Sequence, residues 1–328
     1  MKAAWYEMNG SAHDVLIVGE LATPTPGPGE VLVRLETSGI NPSDVKARQR
    51  RPLQADRIVP HSDGGGIIHS VGNGVSKRRL GERVWIWNGQ WKRTMGTASE
   101  FIALPDAQAV ALPDAADFQV AACLGIPALT ALHAIRLAGN LEGKTVLITG
   151  AGNAVGHYVS QLARLRGATV IGTAGSDERQ AHARSAGVSH IIDYKRENVA
   201  DRVKDLTHGA GAHTIIDMDF SSTASLIGNG ALMPHGSLIT YGSNAVGPLV
   251  VDFRAMLWDS LKIQAFLVYD LTQEDRDWAL KELNSLLCSG QLIHAIGVVY
   301  PLDHIVKAHE LVESGTSVGN VMLSLCST

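Results

Sequence analysis

The chain has few cysteines and no long apolar run. Its 328 residues include three cysteines, Cys123, Cys288 and Cys326, which stand far apart and form no Cys-x-x-Cys pair. This spacing argues against a disulfide framework, and we expect the thiols to be reduced and buried. No stretch approaches the roughly 20 apolar residues that a membrane helix needs, and the N-terminus lacks the apolar core of a signal peptide. We therefore expect a cytoplasmic soluble protein with no membrane partner.

A strong excess of one charge is also absent. The formal net charge is −4, with 28 Lys and Arg residues and 32 Asp and Glu residues interspersed. This balance argues against a nucleic-acid partner. A short basic cluster at residues 46–51 (KARQRR) fits a solvated loop better than a polyanion site. The length and the 45% hydrophobic fraction suit a globular protein of about two domains.

The most informative stretch is residues 144–156, KTVLITGAGNAVG. A short aliphatic run ends in glycines, and apolar residues then recur at helical spacing through Val155, Val159 and Leu162. A second apolar run at 169–173 follows the helix. Together they predict a βαβ unit of roughly 30 residues, the size of a mononucleotide-binding half.

Gly150, Gly152 and Gly156 stand in the turn between the strand and the helix. Glycine is needed where the backbone bends sharply and approaches a pyrophosphate, whose charge is met by free N–H groups and the positive end of the helix dipole. Similar turns also occur only to pack a helix on a sheet. The flanking βαβ pattern favours a dinucleotide-binding turn.

The residues after the second strand indicate which dinucleotide is bound. An NAD site usually has Asp or Glu about 20 residues beyond the glycines, whereas an NADP site has small residues and a cation. Residues 172–179 read GTAGSDER, in which Ser176 can donate to a phosphate and Arg179 offers a bidentate fork. We predict NADPH, preferred by roughly ten- to a hundredfold. Arg179 beside Asp177 and Glu178 also fits a solvated arginine.

The two halves of the chain differ in pattern. Residues 1–112 contain short alternating runs between turns rich in Pro and Gly, which resembles a small β-barrel. A helix over 118–137, interrupted near Gly125 and Pro127, then leads into the βαβ unit. Further strands at 214–217, 238–241 and 263–268 and a helix at 275–289 are predicted.

This alternation predicts an α/β fold with a doubly wound parallel sheet, the Rossmann arrangement. We place a β-rich domain at residues 1–120. The Rossmann domain is expected at residues 121–269.

The order of these signals is similar to the medium-chain dehydrogenase/reductase superfamily. The motifs are GINPSD at residues 39–44, SDGGG at 62–66, the glycine turn and IDY at 192–194. Over essentially its full length the chain resembles the zinc-free quinone oxidoreductase (zeta-crystallin-like) branch. The resemblance implies that the β-rich domain is a GroES-like catalytic domain completed by about residues 270–328. It further implies a Rossmann NADPH-binding domain, and hydride transfer to a quinone or an α,β-unsaturated carbonyl. It also implies a homodimer that contacts through the strand near 263–268.

Zinc-dependent members of the superfamily carry metal ligands at positions that match Asn41, Ser62 and Ile126 here. None of these is a usual zinc ligand, and catalytic zinc needs three protein ligands. His61 precedes one matched position, so a shift of register would supply one ligand without a cysteine partner. We expect no metal. Without zinc, alcohol oxidation loses its Lewis acid, but acceptors that are already electrophilic remain feasible.

The resemblance also assigns the site residues. Asn41 and Asp44 would line the nicotinamide and substrate side, and Asp63 would support their loop. The implied cofactor contacts are Thr130, Gly152, Asn153, Ala154, Val155, Gly156, Thr173, Gly175, Ser176, Arg179, Tyr194, Gly242, Ser243, Val268 and Asn320.

Simpler interpretations stay open for several of these residues. Asn41 before Pro42 fits an ordinary turn, and Asp63 before three glycines fits a turn cap. Thr130 fits a buried hydroxyl bonded to its own backbone. Tyr194 fits an amphipathic side chain at the surface.

Two segments depart from the family pattern. The turn reads AGNAVG where the family usually has AAGGVG, so Asn153 adds a side chain beside the phosphate loop. The segment at residues 85–91 (WIWNGQW) replaces a cysteine-rich zinc lobe. Trp87 and Trp91 fit an aromatic wall for a flat acceptor, and equally a core or a dimer contact.

Two further questions stay open. The proton donor is water or one of Tyr241, Tyr269 and His61. A short-chain dehydrogenase is disfavoured because no tyrosine is followed by lysine four residues later. An NADPH-binding protein with a structural or regulatory role is the alternative to an enzyme, since a fold does not fix a function.

Overall fold

The computed structural model describes residues 1–325, and Cys326 lies outside the described residues. The chain forms two compact units. The first contains Met1–Ile126 and the segment from Asn284 onward, and the second contains Pro127–Leu283.

The strands lie in two main sheets and one hairpin-sized sheet. In chain order they are β1 (Lys2–Trp5), β2 (Ile17–Glu20), β3 (Glu30–Ile40), β4 (Asp63–Val71), β5 (Arg83–Ile86), β6 (Phe101–Pro105), β7 (Ala109–Ala111), β8 (Thr145–Ile148), β9 (Thr169–Thr173), β10 (His190–Ile192), β11 (Ala212–Asp217), β12 (Leu232–Thr240), β13 (Lys262–Ala265), β14 (Ile296–Pro301) and β15 (Asn320–Ser324).

The helices vary from single turns to four turns. They are α1 (Ala12–Val15), α2 (Pro42–Arg50), α3 (Phe118–Ala121), α4 (Leu129–Ala138), α5 (Ala154–Leu165), α6 (Asp177–Ser185), α7 (Val199–Leu206), α8 (Phe220–Thr223), α9 (Ser225–Gly228), α10 (Phe253–Trp258), α11 (Gln273–Cys288) and α12 (Ile305–Ser314). No helix within residues 1–325 has the length and apolar character needed to cross a membrane.

The first unit is built on a seven-stranded sheet in the order β14-β15-β3-β4-β5-β7, with β6 also paired to β3. β3 and β4 run antiparallel from Val31↔Val71 to Gly39↔Asp63. The glycines at 64–66 allow this sheet to pack closely, because a Cβ on Gly66 would lie 2.1 Å from Arg34 O. The register therefore fixes Asp63 opposite the end of β3.

The second unit is a six-stranded parallel sheet in the order β10-β9-β8-β11-β12-β13. Counted within the unit, this is the order 3-2-1-4-5-6 of a Rossmann fold, and the predicted α/β class is confirmed. Val146, Leu147 and Ile148 in the central strand β8 are all fully buried. Strands covered on both faces are expected to be continuously apolar in this way.

Two local predictions differ from the structure, and one short strand was not predicted. The predicted strand at 263–268 ends at Ala265, and Val268 begins a 3₁₀ turn instead. β10 was not predicted, because three residues are too few to show a period. Cys288 is exposed rather than buried, since it ends α11 on the solvent side, whereas Cys123 is buried as expected.

Candidate functional site

A cavity of about 560 Å³ lies in the second unit at the C-terminal ends of the sheet strands. Its lining includes Thr149 after β8, Ala174 after β9 and Met218 after β11. Ligands of doubly wound sheets bind at the carboxyl ends of the strands, and the volume is in the usual range for ligand sites. This cavity is the candidate cofactor site.

Three glycines make the turn that borders this cavity. Gly150 has a φ of 67°, and a Cβ there would lie 2.1 Å from Met218 Sδ. A Cβ on Gly152 would lie 2.6 Å from Arg179 O, and one on Gly156 would lie 2.2 Å from Gly150 O. Only glycine fits such close approaches. The first N–H groups of α5, which follows at once, have no partner within the helix and suit an anion.

Arg179 and Asn153 meet at the wall of the cavity. Arg179 Nη1 donates a short hydrogen bond to Asn153 Oδ1, and Asn153 Nδ2 lies 2.7 Å from Met218 Sδ. Ser176 caps α6 by accepting a hydrogen bond from the Arg179 backbone N–H at 3.4 Å. Residues 174–176 carry no carboxylate. A cation beside small residues is the arrangement that accommodates a ribose 2′-phosphate.

Thr173, Gly175 and Tyr194 line the same cavity. Thr173 Oγ1 accepts a hydrogen bond from the Gly150 N–H at 2.9 Å, which ties the end of β9 to the glycine turn. A Cβ on Gly175 would lie 2.7 Å from the Tyr194 ring, so glycine lets the ring contact the backbone. Tyr194 is 51% exposed, and this position is compatible with both a ligand contact and a surface role.

Asp217, at the end of β11, is absent from the predicted site residues. Its fully buried carboxyl accepts hydrogen bonds from Thr149 and Thr223 at 2.7 Å and from Thr240 at 3.0 Å. Burial raises the pKa of Asp217, and the threonine hydroxyls oppose the rise. Because Thr149 follows β8 and Thr240 ends β12, this one carboxyl connects the strand ends that border the cavity.

Asp219 lines the cavity and was also missed. It accepts hydrogen bonds from Ser221 Oγ at 2.5 Å and from both the backbone and the side-chain N–H of Asn244 at 2.8 Å. Burial acts to raise the pKa of Asp219, but these hydrogen bonds outweigh burial and lower it. The carboxylate thereby holds the loop after β12. The signal that could have found it is the Asp-Met-Asp run at 217–219, which begins at the last residue of β11.

Six of the predicted cofactor residues line the cavity, namely Gly152, Asn153, Thr173, Gly175, Arg179 and Tyr194. The predicted residues Ala154, Val155 and Gly156 form the first turn of α5, and Ser176 caps α6.

The other predicted cofactor residues do not line the cavity, and some of them form hydrogen bonds within the protein. Gly242 O accepts a hydrogen bond from the Phe220 N–H at 2.9 Å, and the adjoining Ser243 Oγ donates to Ala245 O at 3.0 Å. The buried Val268 accepts a hydrogen bond from Arg276 Nη2 at 2.6 Å through its carbonyl.

Thr130 and Asn320 are both buried. Thr130 lies within α4 of the second unit, whereas Asn320 begins β15 of the first unit. Asn320 Nδ2 donates to Ala295 O at 2.9 Å. A cofactor role for these two residues, and for Gly242, Ser243 and Val268, stays a prediction.

The register of β3 and β4 gathers the three predicted catalytic residues in the first unit. Asp63 begins β4 opposite Gly39, two residues before Asn41. Asn41 Nδ2 donates to Asp63 Oδ2 at 2.8 Å, and the Asn41 backbone N–H donates to Asp44 Oδ2 at 2.7 Å. Asn41 is the N-cap of α2, and Pro42 follows at the position where a helix needs no N–H. One residue thus connects two carboxyl groups.

These carboxyl groups are buried and titrate far from their ordinary range. Burial raises the pKa of Asp44 to about 7, although the hydrogen bonds from Asn41 and the positive charge of Arg51 lower it. Burial raises the pKa of Asp63 well above its ordinary value; Asn41 and the Ile126 N–H oppose the rise, and Asp44 adds to it. Asp44 is therefore able to hold or release a proton near neutral pH.

A buried polar chain runs behind this cluster. Thr97 Oγ1 donates to Asp63 O at 2.6 Å and lies 2.8 Å from Ser38 Oγ. Ser38 Oγ lies 2.9 Å from His61 Nδ1, and His61 Nε2 lies 2.9 Å from His309 Nε2. Burial lowers the pKa of His61 to about 3, and it lowers that of His309 well below its ordinary value. Both rings are accordingly neutral.

Both ring nitrogens of His61 are thus engaged within the protein. Ser62 and Ile126, at the other matched positions, are both buried. Within residues 1–325, no cluster of three His, Cys, Asp or Glu side chains has the spacing to hold an ion. Of the other proton-donor candidates, Tyr269 is buried, and burial and the charge of Asp217 raise the pKa of Tyr241.

The tryptophans of residues 85–91 take three different positions. Trp85 is 1% exposed and belongs to the core. Trp87 Nε1 donates to Ala107 O at 3.2 Å. Trp91 lines a second cavity of the first unit, of about 170 Å³. A common wall formed by Trp87 and Trp91 is therefore not supported by this cavity, which Trp87 does not line.

Comparison with known proteins gives consistent matches for both units. The family described as "Alcohol dehydrogenase GroES-like domain" matches residues 27–114, and the family described as "Zinc-binding dehydrogenase" matches residues 154–285. The quinone oxidoreductase of Sus scrofa is 29% identical over 326 residues, which covers 96% of this chain and 95% of that protein.

Solved structures superpose over nearly the whole chain. Escherichia coli quinone oxidoreductase complexed with NADPH has a TM-score of 0.88 at 25% identity, covering 99% of this chain and 100% of that chain. A structure described as an NAD-dependent alcohol dehydrogenase has a TM-score of 0.88 at 27% identity, with the same coverage.

The raised pKa of Asp44 predicts a specific dependence of stability on pH. Because the folded chain holds this proton up to about pH 7, whereas an unfolded Asp releases it near pH 4, stability falls as pH rises between these values. Between pH 5 and pH 8 the free energy of unfolding should fall by about 2 kcal/mol more in the wild type than in Asp44→Asn. Urea denaturation at both pH values measures this.

The exposed Asp56 offers a matched control for that measurement. Asp56→Asn should leave the difference between pH 5 and pH 8 as it is in the wild type. An Asp44→Asn protein with the wild-type pH dependence would contradict the assignment of a raised pKa to Asp44.

Proposed function

Because this chain belongs to the medium-chain dehydrogenase/reductase superfamily, in its quinone oxidoreductase-like branch, we propose that it is an NADPH-dependent reductase of quinones. The single observation that carries the proposal is the cavity at the strand ends, where a glycine turn, a helix N-terminus and Arg179 face one space. We further propose that it reduces α,β-unsaturated carbonyls and that it acts without zinc.

The residues of the second unit fit NADPH. A Cβ on Gly150 would collide with Met218 Sδ and one on Gly152 with Arg179 O, so only glycines allow this tight turn beside the cavity. The α5 N-terminus offers donors for the pyrophosphate. Arg179, held by Asn153, supplies a cation for the 2′-phosphate. NADPH bound here would supply the hydride. The relative from Escherichia coli, solved with NADPH, supports the same cofactor.

The residues of the first unit supply the polar and acid–base functions. Asp63 orients the Asn41 amide through the bond at 2.8 Å. Asp44 Oδ2 accepts the Asn41 N–H, which leaves Oδ1 as the atom that carries the proton. With a pKa of about 7, Asp44 can give that proton up near neutral pH. We propose Asp44 as the source of the proton that a reduced acceptor takes up.

Zinc independence rests on the chemistry of the matched ligand positions. Asn41 and Ser62 are poor zinc ligands, and the amide of Asn41 is already bonded to Asp63. Both nitrogens of His61 are engaged by Ser38 and His309. An acceptor that is electrophilic without a metal is therefore the better substrate class.

The first experiment follows NADPH oxidation by the purified protein with a simple quinone and a conjugated enal in parallel, with and without a chelator. We expect turnover of the quinone that persists in chelator, and turnover of the enal would extend the substrate class. Loss of all turnover in chelator would contradict zinc independence. Tight NADPH binding without oxidation by either acceptor would favour the structural or regulatory alternative.

Cofactor preference tests the corner formed by Arg179 and Asn153. Arg179→Ala should lower kcat/KM for NADPH by about tenfold or more and leave that for NADH nearly unchanged, because one charge-assisted contact to the 2′-phosphate is lost. Asn153→Ala should lower the ratio of kcat/KM for NADPH to that for NADH by a smaller factor, because it removes only the hydrogen bond that positions Arg179.

Arg184 on the same helix is exposed and does not line the cavity, so Arg184→Ala is the matched control. It should leave both values of kcat/KM unchanged. An equal loss with NADPH and NADH in Arg179→Ala would show that Arg179 does not read the 2′-phosphate.

We also propose a homodimer that contacts through the edge of the second unit. β13 lies at the end of the sheet with one side unpaired in residues 1–325. The neighbouring segment exposes an apolar group in which Val250 is 92%, Trp258 73% and Phe253 71% exposed. A second copy that covers this group would bury it and pair the edge strand.

Light scattering tests the dimer directly. The wild type should have twice the 34.9 kDa mass of one chain. Val250→Asp should shift the mass toward a single chain, because it places a charge in the covered surface. Leu80→Asp, at an exposed position of the first unit, is the control and should leave the mass unchanged. A wild-type mass of one chain would contradict the proposal.

A further inference from the structure

The second cavity, of about 170 Å³, lies entirely in the first unit. It is lined by residues just beyond α2 and by residues 90–92, with Tyr6 at its inner side. Arg51 and Lys92 are its charged side chains, and no carboxylate is among the described residues that line it. Its volume is below the usual range for a complete ligand, so it suits one group of a larger molecule.

Both cations are held on one indole ring. Arg51 Cζ and Lys92 Nζ each lie 5.5 Å from the centre of the Trp91 ring. Such contacts position a cation without neutralising it. Neither Arg51 nor Lys92 forms an ion pair with a carboxylate of residues 1–325, although most arginines of the unit do. The cavity therefore carries positive charge that no ion pair within residues 1–325 neutralises.

This cavity borders the proposed reaction site. Tyr6, which is 4% exposed, lines it, and the pKa of Tyr6 rises to about 12 through burial and the nearby charge of Asp44. The positive charge of Arg51 in turn lowers the pKa of Asp44. Because Asp44 acts electrostatically on Tyr6 and Arg51 acts on Asp44, a group held in the cavity lies close to the carboxyl that handles the proton.

We propose that this cavity binds a negatively charged oxygen group of the acceptor, such as a carboxylate or a sulfonate, and so selects anionic quinones and enones over neutral ones. The inference rests on the proposed function and names its substrate class. Arg51 offers two parallel N–H donors to an oxygen pair, Lys92 adds a point charge, and the Tyr6 hydroxyl adds a neutral donor.

The neutral surroundings of the cavity strengthen this selection. Leu53 and Ile58 line it beside the side-chain amide of Gln90, whose Nε2 donates to Arg93 O at 2.8 Å. Asp44, whose charge acts on Tyr6, is partly uncharged at neutral pH because its pKa is raised. An incoming anion therefore meets little repulsion from the protein.

The test compares naphthoquinone with naphthoquinone sulfonate as acceptors for NADPH oxidation. In Arg51→Met and in Lys92→Met, kcat/KM for the sulfonate should fall about tenfold relative to that for naphthoquinone, because one charge-assisted contact is lost. For each acceptor, kcat/KM of the variant is divided by kcat/KM of the wild type, which cancels the intrinsic reactivity of that quinone. Arg51→Lys should restore part of the preference.

Arg50→Met is the matched control, since Arg50 is exposed on α2 one residue away and does not line the cavity. It should leave the ratio unchanged. Added salt should weaken turnover of the sulfonate more than that of naphthoquinone. Equal changes for both acceptors in Arg51→Met and Lys92→Met would overturn the inference while leaving the reductase activity intact.

A wild type that turns over neither acceptor would instead contradict the proposed function. The cavity is then tested by quenching of tryptophan fluorescence with naphthoquinone sulfonate. Binding that weakens about tenfold in Arg51→Met, with no change in Arg50→Met, supports an anion site, whereas equal affinities in the wild type and in Arg51→Met overturn it.

Discussion

The close approach of backbone to backbone in the glycine turn is the constraint on which the second unit depends. Gly156 comes so near Gly150 O that a methyl group could not be inserted, and Gly152 comes too near Arg179 O for a methyl group as well. The first contact lets α5 start directly above β8, and the second brings α6 against the turn. Without both, neither the helix N-terminus nor the Arg179 side chain would border the same cavity. The sheet supplies the platform, but these contacts determine what can bind there.

The first unit depends on buried polar side chains rather than on close packing of the backbone. Asp44 and Asp63 are both withdrawn from water, and the Asn41 residue between them offers one hydrogen bond to each. Two carboxyl groups this close to one another do not ionise together readily. The strand register and the helix cap fix their positions, so the acid–base behaviour of Asp44 follows from the backbone. A positively charged cavity beside Asp44 then adds an electrostatic preference to a site whose chemistry is otherwise generic.

Much of the fold was readable from the sequence because the periodic segments are long. The βαβ unit, the interrupted helix before it and the helix after the sheet all follow from apolar spacing. The cluster of Asn41, Asp44 and Asp63 was reached only through resemblance, since strand pairing brings it together across more than 20 residues. Asp217 was missed because its threonine partners are scattered along the chain, and a buried carboxyl has no periodic signature. The end of β13 was misplaced because apolar residues continue into a 3₁₀ turn.

In the buried chain of hydrogen bonds behind Asp63, the donor and the acceptor of each bond can be assigned. The Asp63 carbonyl can only accept, so the single hydrogen of the Thr97 hydroxyl is committed to it. Ser38 must then give its hydrogen to Thr97, and His61 must donate to Ser38 through Nδ1. His61 Nε2 is left as an acceptor, so His309 carries its hydrogen on Nε2. One carbonyl oxygen thereby fixes the tautomers of two histidines, the farther of them 246 positions away in the sequence.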